Sequence, residues 1–134
     1  EILIEEFIPG KELTVSILGN KPLPIIEIIP SHKLYDYDCK YTEGMSEYVV
    51  PAELSDSIER SLSEDALKIY KTIGCRHYAR ADFRLNDEGQ HYLLEINTLP
   101  GMTSTSLLPK AAIAAGLEFP DLIDTIIKIA SINK

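Results

Sequence analysis

Asp82, Glu95 and Asn97 stand in two short alternating runs, Ala79 to Leu85 and Tyr92 to Asn97, and all three carry oxygen donors. Side chains along a strand alternate between faces, so Arg80, Asp82 and Arg84 share one face and Ala79, Ala81, Phe83 and Leu85 the other. Glu95 and Asn97 likewise project together, with Leu94 and Ile96 turned away. Between the runs lies Asn86-Asp87-Glu88-Gly89, a cluster of turn formers that predicts an antiparallel hairpin. With those residues as the loop, Leu85 faces Gln90, Asp82 faces Leu93 and Arg80 faces Glu95. Asp82 and Glu95 are then diagonal neighbours, roughly 7 Å or somewhat less between Cβ atoms. Two carboxylates and an amide at that range suit Mg2+ held together with substrate phosphates. The bland alternative is a half-solvated hairpin whose polar face meets water, with Arg80 and Glu95 as a cross-strand ion pair.

The next segment favours a site. Asn97 runs directly into a polar loop punctuated by Pro100 and Gly101 and rich in Thr and Ser, which leads to the apolar, Ala-rich stretch from Leu107 to Ala115. A helix starting there presents free backbone N–H groups beside the proposed cation site. Metal-type oxygens followed at once by an anion-binding helix start read as a substrate site.

These residues need a scaffold. Ile2 to Ile8 is a strand candidate, Pro9-Gly10 a turn, and Glu12 to Leu18 and Leu23 to Ile29 are two further strands linked by Gly19-Asn20-Lys21-Pro22. Residues 31 to 51 lack a helical or strand period and hold Tyr35, Tyr37, Tyr41 and Tyr48; a connection of that length is more often functional than idle. Ser55-Asp56 opens a helix, with Asp56 and Glu59 in capping-box spacing. Ile58, Leu62, Ala66, Ile69 and Ile73 line one face of it, and Gly74 ends it. After the hairpin come a helix from about Ser106 to Ala115 and an amphipathic helix from Pro120-Asp121 that buries Leu122, Ile123, Ile126, Ile127 and Ala130. The expected architecture is α+β, an antiparallel sheet with helices packed on one side.

The chain of 134 residues is at most one domain, and 45% hydrophobic residues suffice for a core. Its 13 basic and 21 acidic residues give a net charge of −8, which argues against nucleic acid or an anionic membrane as a main partner. No apolar run approaches the length of a transmembrane helix, and no signal-peptide pattern appears. Cys39 and Cys75 read as free thiols of a reducing compartment, with no nucleophile role. His32, His77 and His91 carry no catalytic assignment; His91 falls on the cation face by parity and reads as a solvated strand residue. The chain begins at Glu1 without an initiator methionine and enters a strand candidate at once, which reads as a piece of a longer protein.

Leu94-Glu95-Ile96-Asn97-Thr98-Leu99-Pro100-Gly101-Met102-Thr103, with Arg80-Ala81-Asp82 upstream, resembles the C-terminal half of the D-alanine–D-alanine ligases, members of the ATP-grasp superfamily. The resemblance continues through Tyr35 to Tyr41 and through Glu5 to Val15, so it covers nearly the whole chain in the family's order. It implies the C-terminal part of an ATP-grasp fold, with ATP and two Mg2+ (or Mn2+) ions as cofactors. Asp82, Glu95 and Asn97 match the ligands of those ions, Glu95 bridging both. Glu5, Glu6, Phe7 and Ile8 resemble the segment along the adenine, and Glu12 the carboxylate that accepts from the ribose hydroxyls. Arg80 and the backbone N–H of Gly101 match donors that stabilise charge on a tetrahedral intermediate, where loss of one donor costs on the order of 10²–10³ in rate. Ser106 and Leu107 resemble the seat of the second D-alanine's carboxylate, with Lys40 as counter-charge there. Lys40 and Tyr41 match a loop that closes over the site and excludes water, and the Lys-Tyr pair points to a dipeptide rather than a depsipeptide product.

The implied reaction is ATP-dependent formation of D-alanyl-D-alanine through an acylphosphate, for peptidoglycan precursors of the bacterial cell wall. The implied setting is cytoplasmic, and the full-length protein a homodimer with no nucleic-acid or membrane partner. Absent are the N-terminal substrate portion, the central phosphate-clamping lysines and their Gly-rich loop, and nothing matches a P-loop or a dinucleotide fingerprint. The chain alone is therefore expected to be inactive or nearly so. Two rival readings stand beside this one: another ATP-grasp ligase that makes D-alanyl-D-lactate or D-alanyl-D-serine, and a non-catalytic nucleotide- or metal-binding module.

Overall fold

Lys11–Leu18 forms the strand β1 on which the rest of the sheet is built. The computed structural model describes residues 2–30 and 46–132. Within them, β1 turns tightly through Gly19-Asn20 into the short β2, Lys21–Pro22, and the chain returns as β3, Ile26–Pro30. The strand expected over Leu23 to Ile29 is thus split: Pro24 has no N–H to offer a ladder, and Ile25 turns into the core. A four-residue edge strand, β4 (Ser46–Val49), pairs with β3. It lies inside the stretch read as aperiodic, because four residues are too few to show a period. β5 (Tyr78–Leu85) and β6 (His91–Asn97) form the expected hairpin. All pairings are antiparallel, in the order β4-β3-β1-β5-β6.

Ile2 to Ile8 forms no strand. Ile2 and Ile4 are each 89% exposed, and no described strand offers the segment a ladder. Its apolar sequence has β propensity, but a strand without a partner is not stable in water. The segment is tied down at its far end, where Arg84 donates from Nε to Ile8 O at 2.9 Å and from Nη2 to Gly10 O at 2.8 Å.

Three helices complete the described residues: α1 (Asp56–Ile73), α2 (Leu107–Ala114) and α3 (Phe119–Ile132). Ser55 is the N-cap of α1, and its side chain makes no capping bond; its Oγ lies 3.1 Å from Ser57 Oγ instead. The Asp56–Glu59 spacing is out of phase with a box by one residue, and these carboxylates serve the first turn only through the helix dipole. Gly74 ends the helix at φ 78°. Leu62, Ala66 and Tyr70 are the buried residues of α1, whereas Ile73 lies beyond the sheet and is 58% exposed. In α3 Leu122 is buried as expected, whereas Ile127 is exposed.

The α+β antiparallel architecture holds, but the helices do not all lie on one side. Helix α1 covers the face made by Leu13, Val15, Ile17, Ala79, Ala81, Phe83 and Leu85. Helix α2 sits on the opposite face, where Leu107 and Ala111 pack on Ile26 and Ile28 of β3, and α3 packs behind it through Leu108, Ala112 and Leu122. Ile26 and Ile28 pair with Thr14 and Glu12, so α2 borders the polar face of the sheet.

Candidate active site

On that polar face the register sets side chains in rows across three strands. Thr14 of β1, Asp82 of β5 and Glu95 of β6 form one row; Glu12 and Arg84, then Ser16, Arg80 and Asn97, form the rows on either side. Asp82 stands directly opposite Glu95 rather than diagonally, and Arg80 opposite Asn97 rather than Glu95. Two departures from the simple hairpin produce this. The loop is three residues, not four: Asn86 N–H donates to Gln90 O at 3.0 Å, and Gly89 closes the turn at φ 79°. That change alone would send Glu95 to the core face with Ala81. An extra residue at the bulge between Asp82/Phe83 and their partners, Leu94, restores the phase, because one inserted residue reverses which face follows.

His91 lies before the bulge and therefore faces α1, not the cation site. Its ring meets Phe83 edge-on at 5.8 Å between centroids, and its Nε2 lies 2.8 Å from Asp65 Oδ2 of α1. It is a link between helix and hairpin, which corrects the expectation from parity.

Asp82 is nearly buried, at 8% exposure. Arg80 grips it in a two-point fork, Nε to Oδ1 at 2.9 Å and Nη2 to Oδ2 at 2.8 Å, and Thr14 Oγ1 donates to Oδ1 at 2.6 Å. Arg80 Nη2 is also 3.9 Å from Glu95 Oε1. Its chief partner is thus Asp82, and Glu95 is secondary. Asn97 Oδ1 accepts the Leu99 N–H at 2.9 Å, which turns the chain out of β6 toward Gly101. Glu12 lies 3.5 Å from Arg84 Nη1, the same guanidinium that holds Ile8 and stands over the Phe7 ring.

These residues floor an open cleft of about 470 Å3: Glu12, Arg80, Asp82, Glu95 and Asn97 lie on the sheet side. Gly101, Thr103, Thr105, Ser106 and Leu107 line the facing wall, and Ile28 and Tyr48 close one flank. Of the residues singled out from sequence, Arg80, Asp82, Glu95, Asn97, Gly101, Ser106, Leu107 and Glu12 come together here. Glu5, Glu6, Phe7 and Ile8 are not part of the lining, and Lys40 and Tyr41 lie outside the described residues.

The wall is internally braced. Ser106 Oγ accepts the Thr103 N–H at 3.0 Å and lies 2.8 Å from Thr103 Oγ1, and a Cβ added at Gly101 would stand 2.8 Å from that same oxygen. Glycine there lets the loop pass close to Ser106. Helix α2 begins with Leu107, Leu108 and Pro109, and its first intrahelical bond runs from Lys110 N–H to Ser106 O at 3.1 Å. Pro109 has no N–H, so Leu107 and Leu108 hold the N–H groups that helix geometry leaves pointing outward.

The donor set fits a hard divalent cation. Both lone pairs of Asp82 Oδ1 are used, by Thr14 and Arg80, whereas Oδ2 accepts one bond and keeps one lone pair. Glu95 is exposed opposite it, and Asn97 Oδ1 has a second lone pair. Among the described residues no cluster of three His, Cys, Asp or Glu surrounds a point, so a cation on this amide and carboxylate pair takes further oxygens from substrate or water. Thr14, Tyr48 and Thr103 carry no site role in the sequence reading. A threonine in a strand and a tyrosine in an aperiodic stretch give no signal until the register sets them beside Asp82 and the cleft.

Comparison with known proteins adds an independent line. Residues 1–128 match the family model described as D-ala D-ala ligase C-terminus. The chain is 47% identical over 133 residues to the D-alanine--D-alanine ligase of Syntrophotalea carbinolica, covering 99% of this chain and 43% of the relative. It is 46% identical over 134 residues to that of Pelotomaculum thermopropionicum, covering 98% and 42%. A solved D-alanine--D-alanine ligase from Bacillus anthracis, complexed with ATP, superimposes with a TM-score of 0.79 at 42% identity, covering 93% of this chain and 41% of that one. The ligase from Coxiella burnetii gives 0.80 at 31% identity, covering 94% and 33%. The chain thus spans about two fifths of the length of the curated relatives it matches.

Proposed function

The chain belongs to the D-ala D-ala ligase C-terminus family, and on that premise we propose that it is the cation-bearing C-terminal ATP-grasp subdomain, residues 1–134, of an ATP-dependent D-alanine–D-alanine ligase. The observation that carries this reading is the row Asp82–Glu95 beside Asn97, facing Gly101 and Ser106 across one cleft. Asp82, Glu95 and Asn97 hold Mg2+ or Mn2+, two ions in the family pattern. When bound, they neutralise the β- and γ-phosphates of ATP. Glu12 receives the ribose hydroxyls, and Glu5, Glu6, Phe7 and Ile8 run along the adenine. The tie from Arg84 to both Glu12 and Ile8 supports placing those two segments on one ligand.

The first D-alanine carboxylate attacks the γ-phosphate, giving an acylphosphate and ADP. The amine of the second D-alanine then attacks the acyl carbon, and phosphate leaves. Arg80 and the Gly101 N–H stabilise the oxyanion formed in that step, while the start of α2 at Ser106 and Leu107 seats the second carboxylate. In the family pattern Lys40 supplies the counter-charge for that carboxylate, and Tyr41 bears on the choice of a dipeptide product. The full-length protein acts as a homodimer in the bacterial cytoplasm on peptidoglycan precursors. Among the described residues no helix is long and apolar enough to cross a membrane.

The test is phosphate release from Mg-ATP by the full-length polypeptide, with D-alanine alone and then with D-lactate or D-serine, products identified by mass. D-alanine-dependent release yielding the dipeptide is the expected result, and none is expected from the isolated chain. ATP binding without turnover on any of the three would point instead to a different acceptor or to a non-catalytic module.

A further inference from the structure

We propose that Thr14 is a positioning residue for the cation site, its hydroxyl fixing the Asp82 carboxylate so that the open lone pair of Oδ2 is presented to the cleft. The inference rests on the reading of Asp82, Glu95 and Asn97 as cation ligands. Thr14 sits at the middle of β1, fully buried, in the same cross-strand row as Asp82 and Glu95. It does not line the cleft and acts only through Asp82.

Its bond to Asp82 Oδ1, at 2.6 Å, is in the range of a charge-assisted hydrogen bond, whereas the Ala81 carbonyl lies at 3.4 Å. A hydroxyl has one proton, and here it goes to the carboxylate. Burial alone does not impose this. Ser16, two residues along the same face and equally buried, has an Oγ without a partner among the described residues. Arg80 also grips Asp82, but from the same strand and on a long side chain that leans toward Glu95 as well. A guanidinium that moved toward Glu95 would take the carboxylate with it. Thr14 is β-branched and stiff at χ1, on the central strand of the sheet. It is the fixed point of the trio.

By filling the second lone pair of Oδ1, Thr14 also leaves Asp82 a single direction in which to offer an oxygen. A cation must then meet Asp82 through Oδ2. Removal of the hydroxyl frees Oδ1, loosens the carboxylate and weakens the cation without touching any substrate contact. Hydrogen-bond partners of this kind typically account for about 10–100-fold in metal affinity.

The experiment titrates Mn2+ into the full-length polypeptide with a non-hydrolysable ATP analogue present, free Mn2+ being read by electron paramagnetic resonance. Wild type is compared with Thr14→Val, Thr14→Ser and Asp82→Asn, and the melting temperature of each is recorded without metal. Thr14→Val is expected to weaken Mn2+ about tenfold or more, and Thr14→Ser to restore wild-type affinity. Wild-type affinity in Thr14→Val overturns the inference, as does a lowered melting temperature with unchanged Mn2+ binding, or a serine variant as weak as the valine one. If Thr14→Val does not fold, Thr14→Ala against Thr14→Ser decides by the same criterion. If Asp82→Asn binds Mn2+ as wild type does, it is the cation-site reading that fails, and this inference falls with it.

Discussion

Asp82 is held by three hydrogen bonds and is still able to give one lone pair, which is what a ligand carboxylate in a strand needs. Asp82→Asn removes the charge and breaks the fork from Arg80, because an amide nitrogen cannot accept. Loss of a ligand cannot cost less than loss of the groups that orient it, so turnover by the full-length protein should fall at least about tenfold. Phosphate release at saturating ATP measures this, and unchanged turnover would remove Asp82 from the cation set. Gly101 acts on the opposite wall. A methyl group there meets Ser106 Oγ, which is pinned by the Thr103 N–H and hydroxyl. Gly101→Ala must displace that oxygen and lose one or both bonds, at about 0.5–1.5 kcal/mol each. The expected effect falls on KM for the second D-alanine and leaves KM for ATP unchanged. A rise confined to ATP would contradict the seat at Ser106.

At the scale of elements, helix α1 and the hairpin meet through the cluster that includes Tyr70, Ala81 and Phe83. Burial at the last turn of α1 pushes the Tyr70 phenol above its usual 10.0, with the charge of nearby Cys75 adding to the effect. The unfolded chain therefore releases that proton first as pH rises. Stability is fully present below pH 10 and declines from there through the folded pKa, at no more than about 1.4 kcal/mol per pH unit for one proton. Urea unfolding between pH 9 and 11 should show this decline in wild type and a flatter one in Tyr70→Phe; parallel curves would exclude it. The same elements show how far the sequence was legible. The alternation of Ala79 to Leu85 and of Tyr92 to Asn97 was enough to place Asp82 and Glu95 on one face, but for an incomplete reason. The predicted loop was one residue too long and the bulge at Leu94 was unseen, and the two errors cancel for Glu95 while they do not for His91. Turn residues announce a turn, not its length, and nothing in Leu93-Leu94 distinguishes a bulge from a ladder position. The strand expected at Ile2 to Ile8 failed for a complementary reason: its pattern is sound, and pairing is a tertiary fact.

The described residues pack into three clusters, and the chain spans only about two fifths of the length of its relatives. Its net charge is −8, and among the described residues of the cleft lining Glu12, Asp82 and Glu95 stand against Arg80, with Arg84 3.5 Å from Glu12. A polyanionic nucleotide entering such a cleft meets its own sign. Two like charges 4 Å apart cost about 4 kcal/mol at an effective dielectric of 20, and water and salt reduce that in an open cleft. A tenfold loss of affinity, about 1.4 kcal/mol, is therefore a low bound for removing the cation. ATP binding by the full-length polypeptide, measured by calorimetry, should be at least about tenfold weaker in EDTA than in Mg2+. Added salt should narrow the gap from the EDTA side, since screening relieves repulsion where no cation bridges the carboxylates to the phosphates. Equal affinity in EDTA and Mg2+ would mean that the nucleotide does not approach Asp82 and Glu95. The row of Asp82 and Glu95 would then owe its place to folding alone, with Arg80 as its counter-charge among the described residues.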